Sequence, residues 1–300
     1  TRQSDLLIGK QPLSKSRKLM AKCLITGHMG YIGSRLFTRL KELGHEVKGI
    51  DMVSLDPDEG LDIRRHLFHN HKPWPKFKPE YIFHLAAKPS VQWSVENPSE
   101  SLSHNVLGTS RVLQLAKAVD ARRVIFASSA AVYGASSPYG LHKLMSESEC
   151  KLYSDLYNVD TVCLRYFNVY SADQSYGGSY STVISAWMEM LRHRTPLRFD
   201  GAGTQTRDFV HIDDIISANI FCMEHKREFA GACYDVGTGV ETDLNYIRSY
   251  ITKRGSTEWH DLPERPGDIQ SSRANIEELK ELGWTSQIEI SEGLKECFGG

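Results

Sequence analysis

The chain has 300 residues, of which 40% are hydrophobic and 24% charged, with a formal net charge of −1. That length suffices for one large core or two modest domains. The near-zero charge offers no field for nucleic acid or an anionic membrane, and no apolar run approaches the ~18–20 residues a membrane span needs.

The six cysteines form no C-x-x-C pair, and several lie within apolar runs. A reducing cytoplasm is therefore expected rather than a disulfide scaffold. Residues 1–19 are polar and basic and lack the apolar core of a signal peptide. They read as an N-terminal extension outside the fold, with Met20-Ala21-Lys22 as a native start.

The first strand is expected at KCLIT (22–26). A helix follows over 31–43, where Ile32, Leu36 and Leu40 form one apolar stripe. Gly44 stands where a helix C-terminal glycine belongs. EVKGID (46–51) and YIFHLAA (81–87) read as the second and third strands, then a helix near 100–119, then RRVIFASS (122–129). A further helix is expected from Tyr139, and a strand over TVCLRYFN (161–168). Apolar runs alternating with helices predict a parallel sheet covered on both faces. Beyond about residue 170 the alternation loosens. The expected division is 20–170 as a dinucleotide-binding domain and 171–300 as a smaller substrate-binding region, with segments returning to the first.

Residues 26–33 read TGHMGYIG. Gly27, Gly30 and Gly33 follow a strand and open a helix, which suits a tight turn, backbone approach to a pyrophosphate and close helix–strand packing. The helix N-terminus then offers its free N–H groups to the anion. Asp51 follows Gly33 by 18 positions, close to the ~20 expected for a carboxylate on the adenosine ribose. A carboxylate there repels a 2′-phosphate, so NAD is expected rather than NADP.

Tyr139 and Lys143 are one helical turn apart and project together. A free tyrosine, with a pKa of about 10, is a poor base at neutral pH. A nearby ammonium stabilises the phenolate. Ser129, at a strand end, can hydrogen-bond beside the phenol. Together they can take a proton from an alcohol while a hydride leaves the same carbon.

The G-x-x-G-x-x-G spacing, taken with Tyr139-x-x-x-Lys143, resembles the extended short-chain dehydrogenase/reductase family. Further motifs follow in that family's order: HLAA (84–87), NVLGT (105–109), SSAAVYG (128–134), RYFNVY (165–170), RDFVHIDD (207–214) and RPGD (265–268). The resemblance covers nearly the whole chain from about residue 20 and looks most like the nucleotide-sugar epimerases. It implies an α/β fold, a Rossmann-type doubly wound parallel sheet with a smaller mixed α/β region. It implies NAD held by the glycine motif with Tyr31 and Ile32, by Asp62 and Ile63 beside the adenine, by Leu85, Ala86 and Ala87, and by Phe167 at the nicotinamide. Asn168, Arg207 and Arg265 match positions that bind a nucleotide diphosphate, and Ser272 matches one bordering the sugar's C2 substituent. The helices near 100–119 and 139–157 match a pair that relatives use to dimerise. The resemblance implies no metal, and the three histidines of HLFHNH (66–71) read as loop residues.

Within that family, Ala130 and Ala131 follow Ser129 where dehydratases and decarboxylases carry acidic side chains. The expected reaction is C4 epimerisation of a UDP-hexose or UDP-N-acetylhexosamine through a 4-keto intermediate. The alternatives are a 4,6-dehydratase or reductase on the same fold, or a non-catalytic NAD-binding regulator. Two loops are shorter than in relatives: the one between Asp51 and Asp62, and ASSP (135–138). Lys88 and His104 stand where relatives often carry small polar or amide side chains.

Overall fold

Successive residues of a strand point to opposite faces of a sheet, so a strand buried on both faces must be apolar throughout. β1 (Lys22–Thr26) obeys this: Cys23 and Ile25 pack into one core and Leu24 into another. The computed structural model describes residues 20–56, 60–65, 74–175, 182–255, 257–264 and 269–299. Arg265, the RPGD motif, the HLFHNH histidines and residues 1–19 lie outside them.

The strands β1, β2 (Glu46–Ile50), β3 (Tyr81–His84), β4 (Arg123–Ser129) and β5 (Thr161–Tyr166) alternate with helices. These are α1 (Tyr31–Glu42), α2 (Trp74–Phe77), α3 (Val91–Glu96), α4 (Pro98–Leu102), α5 (Gly108–Val119) and α6 (Pro138–Tyr157). After them come β6 (Asn168–Tyr170), α7 (Val183–Arg192), β7 (Leu197–Asp200), β8 (Thr206–Arg207), β9 (Phe209–His211) and α8 (Ile212–Glu224). The chain closes with β10 (Ala232–Val236), β11 (Thr242–Asp243), α9 (Leu244–Thr252), β12 (Trp259–Leu262), α10 (Glu277–Leu282) and α11 (Ile290–Phe298).

The central sheet runs β2-β1-β3-β4-β5-β10, and every neighbouring pair is parallel. One face is covered by α1 and α8, with Leu36, Leu40 and Ile215 in its core. The other is covered by α5 and α6, through Val112, Leu115 and Cys150. A third core, around Trp187, Phe199 and Ile247, belongs to the later elements. Strand order reverses between β1 and β3, which opens a crevice at the C-terminal ends of the strands.

Several boundaries differ from the sequence-based expectation. The strand expected over 161–168 breaks at Phe167, whose N–H donates to Val236 O at 3.1 Å. Asn168 then starts β6, which pairs with β9 instead of the central sheet. The helix expected near 100–119 begins at Pro98 and carries a wider π turn over Ser103–Leu107. β3 stops at His84, so Leu85–Ala87 form the loop above it.

Candidate active site

The turn after β1 lies against the loop after β3. A Cβ on Gly27, which has φ +77°, would stand 2.7 Å from Ala86 N. A Cβ on Gly33 would stand 2.0 Å from Gly27 O. The glycines therefore keep the backbone low and open. Gly30 caps α1 with no side-chain bond to the helix N–H groups and no acidic residue in its first turn. That end is ready for an anion. At the end of β2 the Asp51 carboxylate accepts N–H groups from Met29 (3.1 Å) and Val53 (3.2 Å), which fix its direction. This set fits a dinucleotide with a free adenosine 2′-hydroxyl.

These residues border a cavity of about 610 Å³. Gly27, Gly30, Tyr31, Ile32 and Gly33 line it, as do Asp51, Asp62, Ile63 and Leu85–Ala87. Ser129, Tyr139, Lys143 and Phe167 line the same cavity. Asn168, Arg207 and Ser272 do not. Arg207 donates to the backbone carbonyls of Thr206 (2.7 Å) and Ile269 (2.5 Å) instead.

The Tyr139 side of the cavity is built where β4 meets α6. Ser129 ends β4, and its Oγ accepts the Ala131 N–H at 3.2 Å, starting a 3₁₀ turn over Ala130–Val132. Ser137 caps α6 by accepting the Gly140 N–H at 3.1 Å, and Pro138 takes the first helical position. A Cβ on Gly140 would come within 2.1 Å of Ala131 O, so the helix start presses directly on that turn. Tyr139 donates its backbone N–H to Ser94 Oγ at 3.1 Å. Lys143 is 3% exposed. Its Nζ donates to Ala127 O at 2.7 Å and lies 5.9 Å from the Tyr139 ring centroid. Burial pushes this ammonium down to about 8, while Cys150 and then Glu147 hold it up. The arrangement sets a cation beside a phenol, which favours the phenolate, the form of Tyr139 that can take up a proton.

Beneath the glycine turn lies His84, which the sequence reading left within a motif and assigned no role. Thr109 Oγ1 donates to Asn105 O at 2.6 Å, so it can only accept from His84 Nε2, 3.0 Å away. Nε2 thus carries the proton, and Nδ1 accepts from Thr26 Oγ1 at 2.7 Å. Thr26 in turn accepts the Ala86 N–H at 3.3 Å. Burial, and then Lys143, push the imidazole down to about 3. Arg35 and Ser128 were also missed as cavity residues. Arg35 pairs with Asp173 (2.5 Å) and Asp213 (3.1 Å). Its place in the first turn after the glycine motif was the available signal, as neighbourhood to Ser129 was for Ser128.

Among the described residues no group of His, Cys, Asp or Glu is arranged to hold a metal ion, and no helix is long and apolar enough to cross a membrane. The profile of the NAD dependent epimerase/dehydratase family matches residues 23–237. A UDP-glucose 4-epimerase of Mycolicibacterium smegmatis is 33% identical, over 91% of this chain and 96% of its own. Among solved structures, a UDP-N-acetylglucosamine 4-epimerase from Methanobrevibacter ruminantium, in complex with UDP-N-acetylmuramic acid, superposes with a TM-score of 0.82. It is 28% identical, over 93% of this chain and 97% of the other. A Thermus thermophilus UDP-glucose 4-epimerase in complex with NAD superposes with a TM-score of 0.80, at 25% identity over 92% and 97%.

Proposed function

The chain belongs to the NAD dependent epimerase/dehydratase family, and on that premise we propose that it epimerises C4 of a UDP-hexose or UDP-N-acetylhexosamine through a 4-keto sugar. It is an NAD-dependent nucleotide-sugar epimerase; the sugar, the carbon and the residues that act are our reading. The observation that carries it is the shared cavity, in which Ser129, Tyr139 and Lys143 meet the glycine turn and Asp51. In this reading Asp51 holds the adenosine ribose, the α1 N-terminus meets the pyrophosphate, and Asp62 and Ile63 border the adenine. NAD, when bound, supplies a reversible hydride acceptor for the sugar carbon. Tyr139 takes the proton from the C4 hydroxyl, Lys143 stabilises the phenolate, and Ser129 orients the hydroxyl. The 4-keto sugar then presents its other face, and Tyr139 returns the proton. Ala130 and Ala131 bring no acid beside Ser129, which disfavours the dehydratase alternative.

Residues 20–170 together with β10 are the cofactor-binding part of this scheme, and most of 171–300 serves the sugar nucleotide. Asn168, Arg207 and Arg265 are assigned to the diphosphate, Arg207 after release from its backbone partners. A reducing cytoplasm suits six free cysteines. The test is incubation of purified protein with UDP-, GDP-, dTDP- and ADP-sugars, followed by NMR. We expect the C4 epimer of a UDP-sugar without added NAD. Loss of water, net NADH, or an unchanged sugar in every case would overturn the reading. Ser272 is small, so N-acetylated UDP-sugars should be accepted at least as well as UDP-glucose. Ser272→Tyr should lower kcat/KM selectively for the acetylated sugar, and an unselective change removes Ser272 as the gate.

A further inference from the structure

Tyr139, Lys143 and Glu147 follow one another at single-turn intervals on one face of α6. The last two are bonded to consecutive residues of β4. Lys143 Nζ donates to Ala127 O at 2.7 Å, and Ser128 Oγ donates to Glu147 Oε1 at 2.5 Å. Arg165 of β5 closes a fork on the same carboxylate, with Nε at 2.9 Å from Oε1 and Nη2 at 2.7 Å from Oε2. Glu147 is 4% exposed. The chain of bonds continues outward: Arg165 Nη1 donates to Tyr133 Oη (3.1 Å), which donates to Asp235 Oδ1 (2.7 Å). Asp235 Oδ2 accepts the Asn275 N–H at 2.9 Å.

A buried ion pair is a poor way to add stability, because desolvation offsets most of its attraction. This pair has two other effects. It locks the register of α6 against β4, and it sets a negative charge one turn from Lys143. The polar and aromatic groups around Lys143 are Tyr139, Glu147 and Cys150 from α6, the Phe126 ring from β4, Cys163 from β5 and neutral His84 from β3. Arg165 faces Glu147 from β5. Among the described residues, Glu147 is the carboxylate that acts on Lys143.

We propose that Glu147, balanced by Arg165, is a positioning residue that holds Tyr139 and Lys143 in register and sets the electrostatic field in which they exchange a proton. This rests on the reading that Tyr139 and Lys143 carry the proton chemistry.

The test compares pH–rate profiles, with UDP-glucose and UDP-N-acetylglucosamine, for wild type, Glu147→Gln, Arg165→Met and Arg165→Lys. The phenolate absorbance of Tyr139, taken as a difference from Tyr139→Phe, is titrated alongside. Glu147→Gln leaves Arg165 uncompensated, so both limbs and the phenolate titration should move to lower pH, by about half to one unit. Arg165→Met leaves Glu147 uncompensated and should move them upward. Arg165→Lys retains the charge and should leave them near the wild-type position. In Glu147→Gln and Arg165→Met, kcat should fall about tenfold with KM nearly unchanged, as for an interaction made in the transition state. A merely structural pair would lower kcat without opposite displacements, and that result overturns the proposal. If Glu147→Gln does not fold, the two Arg165 variants carry the same contrast. Near-normal turnover in Tyr139→Phe would instead overturn the catalytic reading, and the positioning role with it. An inactive Tyr139→Phe with unmoved limbs sinks only the positioning role.

Discussion

Lys143 remains mostly protonated at neutral pH, with its ammonium brought down to about 8 by burial, so the charge beside Tyr139 persists where the enzyme would work. Tyr139→Phe retains the ring and removes the proposed proton acceptor. Turnover should fall at least ~10²-fold, the lower end of general-base effects, while binding of the UDP-sugar, measured by calorimetry, survives. His84 leads to a prediction about stability. Its folded-state value of about 3 lies below the ordinary 6.5, so the unfolded chain binds more protons between the two. Stability is intact above 6.5 and declines as pH falls towards 3. Urea midpoints at successively more acid pH should track this loss, and His84→Gln should flatten it. Of these residues, Tyr139, Lys143 and the glycines were legible in the sequence because their spacing itself carries the geometry. His84 was not, because its partners Thr26 and Thr109 stand 58 and 25 positions away.

At the scale of elements, one side chain ties β4 to the end of α8. Arg123, 2% exposed, donates Nε to Asp160 Oδ2 at 2.6 Å and its other nitrogens to the carbonyls of Cys222, His225 (2.9 Å) and Arg227 (2.6 Å). It thereby satisfies carbonyls that the helix end leaves without partners. Arg123→Met should cost about 3–5 kcal/mol, the range for breaking a buried pair, read as a lowered denaturant midpoint. The alternation of β1 to β5 with helices was readable from hydrophobic period and flanking glycines. The break after Tyr166 was not, because β6 finds its partner in β9, about forty residues later, and no local pattern marks that choice.

Across the whole molecule, an apolar surface on one side of the sheet is left exposed among the described residues. Leu141, Leu144, Leu152 and Leu156 of α6 are 46, 37, 50 and 63% exposed, and Leu102 and Leu107 nearby are 42 and 41% exposed. These belong to the helices expected to pair two copies, and apolar stripes of this kind mark interfaces. The protein should therefore be a homodimer by light scattering at micromolar concentration. Leu144→Glu combined with Leu152→Glu should give a folded monomer, and an unchanged mass would refute this interface.

The sequence by itself determined the class of fold, the cofactor and the pairing of Tyr139 with Lys143. Each depends on periodicity or on spacing within a single strand–turn–helix unit, which short-range sterics enforce. Only the tertiary structure decided that β10 completes the sheet beside β5, and that Asn168 and Arg207 stand off the cavity lined by Tyr139 and the glycine turn. It alone decided that Ser128, Glu147 and Arg165 join behind Lys143. Those outcomes depend on contacts between segments far apart in the chain, where burial and hydrogen-bond satisfaction select the partner and no local pattern records the choice.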